Sequence, residues 1–234
     1  MSENKASSSA SADTPIATAR RALDWVSDGQ TLGLGTGRAA TAFVRALGER
    51  VRDGLKVSGV PTSEVTAALA RELSIPLLTL EEAGTIDVCF DGADEVDPNL
   101  DLIKGYGGAH VREKIVAASS SKLVILVGVE KVVEVLGSRG KLPVEVLPFG
   151  EAHCREALRR LGCEPKTRSN DDGTPLISDN GNYILDCKIA PIENAAELER
   201  AILDIPGVLG TGLFIGMADA VIIQDGDAVE VRER

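Results

Sequence analysis

The sequence predicts an α/β protein built on a doubly wound parallel sheet, with a second, smaller α+β unit late in the chain. Up to residue 140, short apolar runs of strand length alternate with helical stretches. At 30–52 a strand, a glycine-rich turn and a helix follow one another directly, a unit that carries ligands at the strand's carboxyl end. Between 142 and 207 the rhythm changes to β-α-β-α with polar turns, compatible with a small ferredoxin-like unit.

Taken in order, residues 1–13 are small and polar without periodicity and read as a disordered tail. A helix is expected over 15–27, with Asp13 and Thr14 as cap candidates and Pro15 in the first turn. Strand 30–34 passes through Gly35-Thr36-Gly37-Arg38 into helix 39–52. Backbone N–H groups converge at such a turn, where the helix dipole is positive, so it suits an anion. Alanine at position 40 replaces the third glycine of a dinucleotide fingerprint, and no acidic residue ends the next strand, 56–60. A phosphate or sugar-phosphate site, a dinucleotide site and a plain structural turn all remain open from this motif. Pro61-Thr62-Ser63-Glu64 opens helix 65–73; Thr62 and Ser63 are ordinary caps that, following a strand, also offer hydroxyls to a ligand.

Strands at 76–80, 86–90 and 122–129, with a helix at 109–119, complete the first sheet. The smaller unit has a strand at 143–148, a helix at 150–161, a strand at 183–190 and a helix at 195–205. Strands at 212–216, 220–224 and 228–232 follow, and periodicity leaves open whether they rejoin the first sheet. The expected division is a tail (1–13), a larger site-bearing unit (14–141 plus 208–234) and the smaller unit (142–207).

Composition narrows the function. Aromatic residues are only 3% of the chain, so the core must rest on aliphatic side chains. A net charge of −11 argues against nucleic acid, whose binders need a basic stripe, but leaves room for a small phosphorylated ligand held by a few local cations and amides. The four cysteines are scattered without a CxxC pair and read as reduced thiols of a cytoplasmic protein. No apolar segment approaches the ~20 residues that span a bilayer, and no signal-peptide core is present.

The chemistry gathers between residues 86 and 115. Asp91 and Asp94 stand at the end of a strand, then come Lys104 and the glycines Gly105, Gly107 and Gly108, then Glu113 inside a helix. Moving a proton between adjacent carbons of a sugar phosphate needs a carboxylate base, a charge for the developing oxyanion and hydrogen-bond donors beside it. Glu113 suits the first role, Lys104 the second, and the backbone at Gly105 and Gly107 the third. Asp91 and Asp94 can move protons among the oxygens and open a sugar ring, and two close carboxylates push one pKa upward. The competing readings are a Mg²⁺ or Ca²⁺ site, which Lys104 would oppose, and a Glu113 merely solvated between Arg112 and Lys114. His110 has proximity without an obvious partner and reads as structural or peripheral.

These motifs resemble the type A ribose-5-phosphate isomerases. The likeness runs through GLGTG at 33–37, PTSE at 61–64, DGADEVD at 91–97, KGYGGA at 104–109 and REKI at 112–115. It continues through LPVEVLP at 142–148, DNGNYILD at 179–186 and IPGVLGTGLF at 205–214. The resemblance implies a Rossmann-like domain with a smaller α+β domain, assembled as a homodimer or homotetramer. It also implies interconversion of ribose 5-phosphate and ribulose 5-phosphate through an enediol, with no metal and no cofactor. By position, Glu113 becomes the general base, with Asp91, Asp94 and Lys104 around the reacting oxygens and Gly105 to Gly108 as an oxyanion hole. Thr36, Gly37, Arg38 and Ala39 become the phosphate loop, Lys131 a phosphate counter-charge, and Thr62 and Ser63 the sugar lining.

Two departures stand out. Many members of the family have Ser-Thr after GTG where this chain has Arg38-Ala39, and some carry an N-terminal lysine whose position here is about Pro15. Our hypothesis is that Arg38 supplies the missing charge in a bidentate contact to phosphate; an unchanged Michaelis constant in Arg38→Ala would refute it. Rival readings are a sugar-phosphate-binding regulator, a sugar-phosphate deaminase or acyl-CoA transferase, and a nicotinamide dehydrogenase. No DNA-reading module supports the first, and the DGADE, lysine and REK set argues against the deaminase and transferase.

Overall fold

The computed structural model describes residues 14–234; the expected tail at 1–13 and the cap candidate Asp13 lie outside the described residues. In chain order the elements are α1 (Thr14–Ala22), β1 (Thr31–Leu34), α2 (Arg38–Arg52), β2 (Ser58–Pro61), α3 (Glu64–Glu72) and α4 (Leu80–Ala83). Then come β3 (Val88–Gly92), β4 (Glu95–Val96), β5 (Leu102–Ile103), α5 (His110–Ala118) and β6 (Leu123–Gly128). The later chain forms β7 (Lys141–Val146), α6 (Glu151–Arg160), β8 (Glu164–Thr167), β9 (Tyr183–Lys188), α7 (Ala195–Leu203) and β10 (Val208–Thr211). It closes with β11 (Leu213–Phe214), β12 (Ala220–Asp225) and β13 (Ala228–Glu233).

Six strands form the main sheet in the order β13-β12-β6-β3-β1-β2, parallel except for β13, which pairs antiparallel with β12. Alternation along the strands divides their side chains between two cores. Leu32, Leu34, Val88, Phe90, Val124 and Leu126 pack under α1 and α2, while Cys89, Leu123, Ile125 and Val127 pack with Val116 and Ala117 of α5 on the other face. Phe43 of α2 stacks on Phe90 with ring centroids 4.3 Å apart, which seats α2 above the end of β3. Because β2 and β3 lie on opposite sides of β1, the winding reverses between β1 and β3. A doubly wound sheet binds ligands in the crevice outside the strand ends at that reversal.

The second sheet, of order β10-β7-β9-β8, is antiparallel and built as β-α-β-β-α-β, the ferredoxin-like arrangement. It contains two strands more than the sequence pattern indicated. β8 reads EPKT, with no apolar alternation, and is held by its pairing with β9. β10 falls in the stretch expected to belong to the larger unit, yet pairs with β7. We therefore propose a division in which 141–211 forms the smaller unit. The terminal strands β12 and β13 do rejoin the main sheet, and β11 pairs with β5 in a three-stranded sheet with β4.

The strand expected at 76–80 does not form. Leu77 makes a single bridge to Gly59, and the chain then turns into α4. The cause is a capping box missed in the sequence: Thr79 N–H donates to the Glu82 carboxylate at 2.8 Å, and Glu82 N–H donates to Thr79 Oγ1 at 3.2 Å. Among the described residues, no helix is long and apolar enough to cross a membrane.

Candidate active site

The carboxyl ends of β1, β3 and β6 surround a cavity of about 350 Å³. Against it lies a buried ionic triad, of which Lys104 and Glu113 line the cavity. Lys104, just past β5, places its ammonium 3.1 Å from Asp91 and 3.3 Å from Glu113, and also donates to the Gly92 carbonyl. The side chains of Asp91, Lys104 and Glu113 are 1%, 3% and 6% exposed, so almost no water screens the three charges. Burial, reinforced by the charge of Asp91, pushes Glu113 well above the ordinary glutamate range, even against the pull of Lys104. Asp91 is likewise raised, by burial first. Burial opposes the charge of Lys104, but Asp91 and Glu113 outweigh it and hold the amine firmly protonated.

The structure separates the two aspartates that the sequence placed together. Both oxygens of Asp91 are occupied: Oδ2 by Lys104, and Oδ1 by the N–H groups of Thr36 at 3.1 Å and Gly92 at 2.8 Å. Asp91 thus lies behind the cavity wall, whereas Asp94 lines the cavity. Asp94 Oδ2 accepts the Tyr106 N–H at 2.9 Å, and Lys131 stands 4.0 Å from its other oxygen. The carboxylates coupled through a shared cation are therefore Asp91 and Glu113, not Asp91 and Asp94. Among the described residues no three metal-ligating side chains gather, and the Lys104 amine fills the place between Asp91 and Glu113.

The N-terminus of α2 forms another part of the cavity wall. Gly37 caps the helix at φ +101°, a conformation that glycine adopts without strain, and Thr36 to Ala39 line the wall. The first helical N–H groups have no partner within the helix, which suits this wall to an anion. Gly35 lies against Asp91: a Cβ there would come within 2.3 Å of Oδ1, so only glycine lets the turn approach the aspartate. Arg38 stands at the rim, 70% exposed, with its guanidinium 3.7 Å from Glu130.

Thr62 and Ser63 do not reach the cavity. They are buried behind Thr36, whose hydroxyl meets theirs at 2.7 and 2.8 Å, while Ser63 caps α3 and Thr66 bonds the Gly35 carbonyl at 2.9 Å. This hydroxyl cluster braces the turn from the rear. In the glycine turn, Gly105 and Gly107 line the cavity, and Gly108 packs toward Ile184 and Arg168. His110 is fully buried, and burial, with nearby cations, takes its pKa down to about 3, so it is neutral. Thr18 of α1, Ala93, Gly128 and Glu130 also line the cavity and were not singled out in the sequence. Ala93 sits inside the DGADEVD motif, whereas Thr18, Gly128 and Glu130 come from separate elements with no local motif to mark them.

A buried carboxylate paired with a buried cation, in a cavity that a helix N-terminus also lines, suits proton transfer on a small phosphorylated molecule. The chain matches the family model of ribose 5-phosphate isomerase A (phosphoriboisomerase A) over residues 58–228. It is 54% identical over 214 residues to ribose-5-phosphate isomerase A of Gloeobacter violaceus, covering 91% of this chain and 93% of that one. It is 51% identical over 213 residues to the Roseiflexus castenholzii protein of the same name, covering 90% and 91%. The solved ribose 5-phosphate isomerase A of Methanocaldococcus jannaschii superposes with a TM-score of 0.91 at 41% identity, covering 95% of this chain and 99% of that one. A further D-ribose-5-phosphate isomerase, solved in complex with phospho-erythronic acid, gives 0.91 at 36% identity, covering 95% and 98%. The chain belongs to the ribose 5-phosphate isomerase A family.

Proposed function

We propose that this chain interconverts D-ribose 5-phosphate and D-ribulose 5-phosphate through an enediolate, with Glu113 as the base. The observation that carries the reading is the Asp91–Lys104–Glu113 triad, two of whose members line a cavity that the α2 N-terminus also lines. The phosphate lies against the α2 amides, Arg38 and Lys131, which leaves C1 and C2 of the open sugar over the triad. Glu113 takes the proton from C2, and the C1 carbonyl oxygen gains the negative charge. The Lys104 ammonium and the Gly107 N–H meet that charge in a site with little water. Glu113 returns its proton to C1 while Asp94 passes the proton of O2 to O1, which completes the ketose. A raised Glu113 pKa makes the base strong enough to accept a carbon-bound proton near neutrality. Asp91 acts through Lys104, which it holds in place and keeps charged.

The test is ketose formation from ribose 5-phosphate with EDTA present, for the wild type and Glu113→Gln. Activity should survive the chelator and fall by about 10²–10⁴-fold in the variant. Loss to EDTA would return Asp91 and Asp94 to a metal site. A wild type inactive under both conditions would favour a binding protein. We also propose a homo-oligomer: Leu147, Phe149 (98% exposed) and Leu209, near the β7–β10 pairing, give a second copy an apolar surface to cover. Sedimentation at micromolar concentration would refute this by showing a single monomeric species.

A further inference from the structure

We infer that Arg168 is a positioning residue for this reaction: from the smaller unit, its guanidinium aims the glycine turn so that the Gly107 N–H faces the reacting oxygen. The inference rests on reading the cavity as the place of enediolate chemistry. Arg168 follows β8 directly, and its two terminal nitrogens cross to the larger unit. Nη2 donates to the Gly105 carbonyl at 3.1 Å and Nη1 to the Tyr106 carbonyl at 3.0 Å.

A trans peptide points its C=O and the following N–H in opposite directions, and no cis bond occurs among the described residues. Fixing these two carbonyls on Arg168 therefore turns the N–H groups of Tyr106 and Gly107 away from it. The Tyr106 N–H does face away, donating to Asp94 at 2.9 Å. The Gly107 N–H has no protein partner among the described residues, and Gly107 lines the cavity with Lys104 and Glu113.

Closing the turn does not require the arginine, because the Gly108 N–H already bonds the Gly105 carbonyl at 3.0 Å. What Arg168 adds is the orientation of the second peptide plane, between Tyr106 and Gly107. The guanidinium is itself locked: Asp186 of β9 accepts Nε at 2.9 Å and Nη2 at 2.5 Å, and Lys141 holds the same carboxylate at 3.1 Å. Such a planar fork keeps its direction where an ammonium would swivel.

The experiment compares the wild type with Arg168→Met and Arg168→Lys. For each we would measure kcat, KM for ribose 5-phosphate, thermal unfolding and the affinities of two ligands. Phospho-erythronic acid carries a planar anionic carboxylate resembling the enediolate, and ribitol 5-phosphate carries only tetrahedral alcohols. In Arg168→Met, kcat should fall about 10- to 100-fold, with KM held within about threefold. Arg168→Lys, able to bond one carbonyl at a time, should fall between. Affinity for phospho-erythronic acid should drop in step with kcat while that for ribitol 5-phosphate holds.

Unchanged kcat in a folded variant would overturn the inference, as would equal loss of both ligands, which marks general damage to the site. Should Arg168→Met fail to fold, Arg168→Lys is judged alone by the same criteria. An inactive wild type would overturn the functional reading and this inference with it. An active wild type with unaffected variants would overturn this inference alone.

Discussion

The ammonium of Lys104 faces the Glu113 carboxylate at 3.3 Å with both groups withdrawn from solvent, yet Glu113 remains hard to ionise. Burial is the larger effect, and the Asp91 charge adds to it. An acid limb follows: kcat/KM should fall as the pH drops through a Glu113 pKa lying above its ordinary 4.5, because the protonated carboxyl cannot accept the C2 proton. Asp91→Asn removes the neighbouring negative charge and should move that limb to lower pH. A pH profile in which the limb stays put or rises would show that the two carboxylates are not coupled through Lys104.

The same shift has a consequence for stability. A carboxyl with a folded pKa above its unfolded one takes up a proton on folding between the two values, so stability falls as pH rises through that window. Glu113 is such a group, and above the window the folded state carries its charge at a cost. Glu113→Gln should therefore unfold at a higher temperature than the wild type at pH 9, with a smaller difference at pH 4, while losing activity. A wild type that is the more stable protein at pH 9 would mean that the Lys104 pair outweighs burial.

Also lining the cavity, Arg38 and Glu130 form an exposed pair at 3.7 Å. Glu130 adds negative charge at the rim where we propose the phosphate binds, and it competes for the arginine. Glu130→Gln should lower KM for ribose 5-phosphate by about two- to fivefold with kcat unchanged, and Arg38→Ala should raise it by a similar factor. Both effects should shrink as salt is added. An identical KM in all three proteins would place the phosphate away from Arg38.

How much of this is legible in the sequence depends on how the chain is folded back. Asp91, Asp94, Lys104 and Glu113 come from one continuous excursion, β3 through β5 to α5, so their neighbourhood in space is already a neighbourhood in sequence. The same proximity misleads about Asp91, because only the fold shows it turned to Lys104 and Thr36 with no face on the cavity. Thr62 and Ser63 have the right chemistry for a ligand, but β2 runs beside β1 and delivers their hydroxyls to Thr36. Arg168 and Glu130 carry no local signal, since each contacts an element remote in the chain. The apolar run at 76–78 looked like a strand until the Thr79–Glu82 capping box took its end.

Hydrogen bonds also join the smaller unit to α5, the helix that carries Glu113. Glu145 of β7, fully buried, accepts hydrogen bonds on one oxygen from Ser178 at 2.9 Å, Asn180 at 3.0 Å and Asn182 at 2.8 Å. The loop so held receives Arg112, the residue before Glu113, through Asn180 Oδ1 at 2.8 Å and the Asp179 carbonyl at 2.7 Å. Asp179 also accepts the Glu64 N–H at 2.8 Å, so α3 and α5 are pinned to one loop. Glu145→Ala strands three donors at once and should cost about 2–4 kcal/mol in urea unfolding. Glu145→Gln keeps an acceptor oxygen for some of them and should cost less. In the alanine variant the loosened α5 should lower kcat more than it raises KM, since the base moves while the phosphate end stays. A stable alanine variant with wild-type kcat would show that the loop holds its shape without Glu145.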